Sequence, residues 1–119
     1  MSFTFEIAKH PKGVVCFSLN GKIISTEGFE SVTNDLDKTF QEGNKKIIID
    51  MSKVSYINSS GLNLLVRLLT KVRNKGGELV LISISESVEK LFFITKLNSI
   101  FTICANVMEA QNIFNAQEA

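Results

Sequence analysis

The sequence has little of what metal sites, disulfide frameworks and catalytic triads are made of. Its 119 residues include two cysteines, one histidine and one proline, and no tryptophan. A metal site needs several His, Cys or carboxylate ligands close together. Two thiols far apart in sequence, Cys16 and Cys104, are typical of buried, reduced side chains rather than of a disulfide framework. We therefore expect no metal, no cofactor and no disulfide.

The chain also lacks a charge excess and any long apolar run. Thirteen basic and twelve acidic side chains leave a net charge of +1, which gives no electrostatic reason to expect nucleic acid or anionic lipid as a partner. No apolar run approaches the roughly 20 residues of a membrane span, and the first residues have no signal-peptide pattern. These absences predict a cytoplasmic protein without direct membrane insertion.

A catalytic centre is equally hard to assemble. A Ser-His-Asp site would have to use His10, which lies in a strand or turn segment. The serine pair Ser59-Ser60 lacks the preceding glycine of a nucleophile elbow. Gly61 is not followed by the lysine and hydroxyl residue of a phosphate-binding loop. We predict no catalytic residues and no enzyme activity.

What the sequence does contain is a set of strand and helix patterns that fill one domain, residues 1–119. FTFEIA and VVCFSLNG alternate apolar and polar residues, which predicts strands with one wet face. KKIIIDM and ELVLISI are continuous apolar runs, typical of strands buried on both sides, and IFTIC is a short further strand.

Helical spacing of apolar residues alternates with these later strands. It predicts helices over residues 26–42, 60–75 and 86–96 and from about residue 107. The order ββαβαβαβα predicts an α/β fold, with a mixed sheet of four to five strands and about four helices. The residues expected in its core are Phe3, Phe5, Ile7, Val15, Phe17, Leu19, Ile47, Ile49, Leu65 and Leu69.

The junction between the third strand and the second helix is the most informative stretch. It reads Asn58-Ser59-Ser60-Gly61, and Asn and Ser are preferred N-cap residues, so helix capping alone explains the composition. A hydroxyl at a helix N-terminus is also a good site for a phosphate, because free amides and the helix dipole stabilise the added charge.

The helix that follows has an apolar arc of roughly 200°, wider than a one-sided surface helix needs. Its polar stripe holds Asn63, Arg67, Thr70 and Asn74. Leu64 and Leu68 lie at the edge of the apolar arc, so we expect at least one of them to be exposed and to bind a partner. The alternative is that another helix covers both leucines.

One signature links these features to a known family. The segment resembles the central motif of the STAS domain (sulphate transporter and anti-sigma factor antagonist), and in particular of free-standing bacterial anti-sigma factor antagonists. The matching residues are Asp50-x-Ser52-x-Val54-x-x-Ile57-Asn58-Ser59-Ser60-Gly61-Leu62. Weaker matches are Leu19-Asn20-Gly21, Lys75-Gly76-Gly77-Glu78-Leu79 and Val88-x-x-Leu91-Phe92.

The resemblance implies a regulated protein–protein interaction. An unphosphorylated antagonist binds an anti-sigma factor that is also a serine kinase of the histidine-kinase-like type, and a sigma factor is freed. Phosphorylation of the first serine of the motif ends binding, and a phosphatase restores it. That serine corresponds to Ser59; Ser60 is the weaker acceptor and the better capping candidate. The implied partner surface comprises Lys22, Asn58, Ser59, Ser60, Gly61, Leu64 and Leu68.

Two positions differ from the family pattern. Many relatives have Asp where this chain has Asn58, which caps a helix equally well but carries no charge. Regulated members often read Gly-Glu-Leu/Ile-Asp after the second strand, where this chain reads Gly21-Lys22-Ile23-Ile24. The changed loop indicates a partner of different shape or charge. It also keeps open an alternative, an adaptor subunit of a membrane transport or signalling complex without a phosphorylation cycle.

Overall fold

The structure, a computed structural model, describes residues 3–118. Residues 1, 2 and 119 of the predicted domain lie outside the described residues. The strands are β1 (Phe3–His10), β2 (Val14–Ile23), β3 (Lys46–Ile57), β4 (Glu78–Ile82) and β5 (Thr102–Cys104). The α-helices are α1 (Phe29–Gln41), α2 (Ser59–Asn74), α3 (Glu86–Ile94) and α4 (Val107–Glu118). The predicted mixed sheet, helix count and element order are confirmed.

The five strands lie side by side in chain order, from β1 to β5. β1 and β2 form an antiparallel hairpin through a short 3-10 turn at Pro11–Gly13. All later pairs are parallel, because a helix returns the chain to the end of the sheet at which the preceding strand began. β3 extends well beyond the predicted segment: its pairing with β4 ends at Asp50, while its pairing with β2 continues to Ile57.

Three helices cover one face of the sheet, here called the three-helix face. α1, α2 and α3 pack there in one apolar cluster with the inward residues of all four longer strands. Ile47, Ile48 and Ile49 are fully buried, which confirms the prediction that the isoleucine run of β3 is covered on both sides. Most of the predicted core residues belong to this cluster.

Among the described residues, the opposite face is covered by α4 alone. Phe114 and Ala110 of this helix pack on Val14, Cys16 and Ile48 in a second, smaller cluster that also contains residues of β4 and β5. The prediction that β2 has one wet face is therefore wrong around Cys16, which is buried. Hydrophobic alternation in β2 does not reveal that a helix about 90 residues later closes over its other side.

Ile7 is the predicted core residue that the structure contradicts. Its exposed fraction is 43%, and β1, on which it lies, is an edge strand of the sheet. Phe5 is half-buried and its ring stacks on Phe17 with 6.1 Å between centroids. β1 thus contributes fewer buried residues than its alternation indicates.

Within residues 3–118, no helix combines the length and hydrophobicity that a membrane span requires.

Candidate partner-binding site

α2 begins directly after β3, and Asn58 is the residue that caps it. Asn58 has extended backbone angles (φ −114°, ψ −173°), and its side-chain Oδ1 accepts a hydrogen bond from the Gly61 N–H at 2.9 Å. Its backbone carbonyl accepts from the Leu62 N–H at 2.9 Å. Ser59 and Ser60 are already helical, so the expectation that Ser60 caps the helix is wrong: the cap must precede the first helical residue.

The same asparagine also binds the end of β2. Its backbone N–H donates to the Ile23 carbonyl at 3.3 Å, and its Nδ2 donates to the Ile24 carbonyl at 3.2 Å. The carboxamide thus uses its acceptor within α2 and its donor on the loop that follows β2. An ionised Asp could cap α2 but could not donate to Ile24, which gives Asn58 a structural role of its own.

Gly61 is buried and lets α2 approach β2 closely. A Cβ at this position would lie 1.9 Å from the Ile23 carbonyl oxygen and 2.8 Å from Cγ1 of Ile57. Gly61 therefore packs against the end of the sheet, and the prediction that it contributes to a partner-binding surface must be corrected. Only a residue without a side chain fits there.

The two serines form the exposed part of the site. Both Ser59 and Ser60 are exposed, and neither hydroxyl makes a hydrogen bond within the part of the chain that the structure describes. They occupy the first two helical positions, where backbone N–H groups have no intrahelical acceptor and the helix dipole is positive. No acidic residue lies in the first turn of α2, so a phosphate on Ser59 would meet donors and no carboxylate there.

A shallow groove of about 390 Å³ runs beside Ser59. One wall is the end of β3 with Asn58 and Ser59, and the opposite wall is the first turns of α3, with Ser87, Val88 and Leu91. α3 begins at the same end of the sheet as α2, because both follow the carboxyl ends of parallel strands. The serine motif therefore faces a neighbouring helix across a groove.

Lys22 and Tyr56 add to this surface from the sheet. They are direct neighbours in the parallel pairing of β2 and β3, and both are exposed, Tyr56 to 53%. Tyr56 also lines the groove beside Ser59. The sequence patterns do not predict Tyr56 as a site residue, although it directly precedes the buried Ile57 and successive strand residues point to opposite faces.

Leu64 and Leu68 do not belong to the surface. Both are fully buried, so the prediction that at least one is exposed and binds a partner is wrong. α2 connects β3 to the adjacent β4, and α1 and α3 flank it on the three-helix face. A helix with neighbours on both sides needs a wider apolar arc than a helix that packs on a sheet alone.

The other candidate reactive groups lie outside this site. Cys16 and Cys104 are buried free thiols, and burial, the largest influence, raises the pKa of both. His10 is half-buried at the end of β1. Among residues 3–118, no three His, Cys, Asp or Glu side chains form a group that could hold a metal ion.

Comparison with known proteins decides the family. The family model of the STAS domain matches residues 7–110. The chain belongs to the STAS domain family. This confirms the resemblance drawn from the Asp50–Leu62 motif, and the five-stranded sheet with four helices is the fold of the solved family members.

Two similar proteins have related names. Protein BtrV of Bordetella bronchiseptica, named as a candidate anti-sigma factor antagonist, is 29% identical over 98 residues, which cover 82% of this chain and 83% of BtrV. The anti-sigma-B factor antagonist of Listeria monocytogenes is 40% identical over 68 residues, 57% of this chain and 59% of its own.

A solved structure agrees over a larger part of the chain. The crystal structure of a candidate anti-sigma factor antagonist from Thermotoga maritima is 27% identical, with a TM-score of 0.72 over 92% of either chain.

Proposed function

We propose that this chain is an anti-sigma factor antagonist controlled by phosphorylation of Ser59. The unphosphorylated protein binds an anti-sigma factor that is also a serine kinase of the histidine-kinase-like type, and the sigma factor is freed to direct transcription. Phosphorylation ends binding, and a phosphatase restores it. The chain acts in the cytoplasm as a binding protein and catalyses no reaction.

The observation that carries this proposal is the state of the Ser59 hydroxyl. It is exposed, free of hydrogen bonds to the described residues, and located at the first helical position of α2. A phosphate adds about −1.5 to −2 charges at neutral pH. The helix N-terminus tolerates that charge, so the modification changes the binding surface and leaves the fold intact.

The partner surface consists of the exposed residues around this hydroxyl. Ser59 and Ser60 form its centre, the half-buried Asn58 positions them, and Lys22 lies beside Tyr56 at the sheet edge of the surface. A lysine at this edge fits a partner with an acidic group opposite it. The names of the relatives support the same role at the level of the family.

The test uses purified protein, ATP and the cognate histidine-kinase-like kinase. We expect mass spectrometry to find one phosphate, on Ser59, in the wild type and in Ser60→Ala, and none in Ser59→Ala. Calorimetry should show that the unphosphorylated protein and Ser59→Ala bind the kinase. The phosphoprotein should bind at least 100-fold more weakly, about 2.7 kcal/mol, because a dianion in that interface loses its hydration without a partner.

Circular dichroism and melting temperature serve as the control for folding. Both should change little on phosphorylation, because the added charge lies at the positive end of α2. Two results would contradict control by Ser59 phosphorylation. One is phosphate on Ser60 alone, and the other is an affinity for the kinase that is unchanged by phosphate on Ser59. Binding without any phosphorylation would instead favour the adaptor role. The adaptor role stays an alternative because Lys22 and Ile24 stand where regulated members often have acidic residues.

A further inference from the structure

Three cations follow one another along the side of α2 that faces α1. Arg67, Lys71 and the C-cap residue Lys75 are four residues apart, which places them about 6 Å from one another along the helix axis and within an arc of about 80°. They line a groove of about 540 Å³ together with Phe29 of α1. We call these three cations and Phe29 the basic groove.

The basic groove concentrates positive charge that the chain as a whole does not have. A neighbouring depression of about 520 Å³ shares Lys75 and adds Lys45. Among the described residues that line the two depressions, four are cationic and one, Asp37, is acidic, whereas the whole chain carries a net charge of +1. Cations at i and i+4 on a helix repel each other. Asp37 offsets part of this repulsion, because its Oδ1 lies 3.2 Å from Nζ of Lys71 and 3.6 Å from Nζ of Lys75.

Arg67 is fixed by an aromatic ring rather than by a carboxylate. Its Cζ lies 4.2 Å from the centroid of the Phe29 ring, which is a cation–π contact. Within residues 3–118 its guanidinium makes no ion pair and no hydrogen bond, and Glu30, which follows Phe29, lines neither depression. The side chain is exposed, so the N–H donors of its planar fork are open to a carboxylate from another molecule.

We infer that the basic groove binds an acidic polypeptide segment of a second partner, whose carboxylates are about 6 Å apart, as at every fourth position of a helix. A carboxylate can accept both N–H donors of the Arg67 fork, and the next ones along the segment then meet Lys71 and Lys75. Nucleic acid fits the groove less well, because Arg67 already covers the Phe29 face on which a base would stack.

A segment in the basic groove leaves the Ser59 site open, so this inference goes beyond the proposed function. Arg67 follows Ser59 by eight residues and Lys75 by sixteen, which are about 12 and 24 Å along α2. The Debye length at physiological ionic strength is about 8 Å, so a phosphate on Ser59 has little influence on the basic groove. The kinase and the second partner can therefore bind at the same time.

The probe for this site is a synthetic helical peptide with glutamate at every fourth position, and its control has glutamine at the same positions. Fluorescence anisotropy measures its affinity for the full chain, and NMR shift mapping locates the site. Arg67→Gln/Lys71→Gln removes one unpaired and one ion-paired cation. The matched control, Lys53→Gln/Lys90→Gln, removes an exposed lysine of β3 and a lysine that pairs with Glu86 of α3.

The wild type should bind the glutamate peptide at least tenfold more tightly than the glutamine peptide, and added salt should weaken that binding. Arg67→Gln/Lys71→Gln should lose at least tenfold in peptide affinity, while the matched control should bind like the wild type. Asn74→Glu should lose a similar factor, because it keeps every cation and adds a carboxylate to the lining of the groove. The largest amide shifts should lie around Phe29 and residues 67–75, and melting temperatures serve as the folding control.

Other results would overturn the inference. These are equal affinity for the two peptides, amide shifts spread over lysines throughout the chain, or tighter binding of oligothymidylate or inorganic pyrophosphate than of the glutamate peptide. If Arg67→Gln/Lys71→Gln also weakens kinase binding, the groove belongs to the kinase surface, and the second-partner inference fails while the proposed function stands. If the wild type binds the glutamate peptide as expected but the kinase leaves Ser59 unmodified, the proposed function fails alone.

Discussion

At the scale of single residues, Asn58 holds the site together. Its side chain accepts from Gly61 within α2 and donates to Ile24 beyond β2, so one carboxamide fixes both the helix start and the adjacent loop. The position of Ser59 relative to Ile24 and Lys22 therefore depends on an amide that has both a donor and an acceptor. A serine or threonine cap would satisfy the helix but not reach both partners.

Replacing Asn58 separates its two roles. Asn58→Ala should lower the free energy of unfolding by about 0.5–2 kcal/mol through loss of the cap, and further through loss of the bond to Ile24. Asn58→Asp keeps the cap and should lie between alanine and wild type in urea denaturation. Hydrogen exchange of the amides at residues 24–28 should accelerate in both variants. Equal stability of the alanine variant and the wild type would contradict the capping geometry.

The sequence predicts this site only in outline. It places the serine pair at the start of a helix, and the structure agrees. It cannot tell which of three consecutive capping residues is the cap, because Asn58, Ser59 and Ser60 are all suitable and the choice depends on where β3 ends. The bond to Ile24 joins residues 34 positions apart, and local patterns contain no information about such pairs.

At the scale of elements, α2 shows how a helix pattern can mislead. The wide apolar arc predicts core on one side and a docking edge on the other, and the predicted docking edge is wrong. Periodicity reports how much of a helix is apolar but not how many neighbours cover it. Three parallel connections in chain order bring α1 and α3 onto the same face as α2, which buries Leu64 and Leu68 completely.

The two leucines should therefore govern stability. Each Leu→Ala change at a fully buried site costs about 2–5 kcal/mol, and serine also brings an unpaired hydroxyl into the core. Leu64→Ser/Leu68→Ser should leave the protein largely unfolded by circular dichroism at 25 °C. The matched control on the exposed side of the same helix is Asn63→Ser/Thr70→Ser, which should melt close to the wild type. A folded leucine variant would mean that the packing of α2 is not as described.

At the scale of the whole molecule, the sheet has two apolar faces that are covered by different numbers of helices. The three-helix face holds the large cluster, while α4 covers the smaller cluster that contains both cysteines. The single-domain organisation predicted for residues 1–119 stays a prediction. The element order could be predicted because strand and helix periods differ clearly, whereas the docking of α4 on β2 could not, because it joins distant parts of the chain.

The buried thiols report on that smaller cluster. Burial raises the pKa of Cys16 and Cys104, so at pH 8 fewer thiolates are present than in a free cysteine, and iodoacetamide should label the native protein slowly. Denaturant should make both thiols react at the rate of free cysteine. Cys104, on the edge strand β5, should react before Cys16 as local opening begins there.

The raised pKa values of the two thiols also determine how the free energy of unfolding changes with pH. Thiols of the unfolded chain ionise near their ordinary pKa of about 8.5, while the buried ones stay protonated to higher pH. The thiol contribution to folding is therefore complete below that pH and declines as pH rises through the folded-state pKa values. Cys16→Ala/Cys104→Ala should show a shallower loss of stability above about pH 9 in urea titrations.

The strand order has a consequence for how the protein is made. Each strand hydrogen-bonds to the one synthesised just before it, so a chain leaving the ribosome can extend its sheet strand by strand without waiting for a distant partner. α4 is the exception, because it is made last and yet covers Val14, Cys16 and Ile48. A nascent chain that has completed α2 already presents Ser59 at a formed helix start, while the far side of its sheet is still bare and open to chaperones.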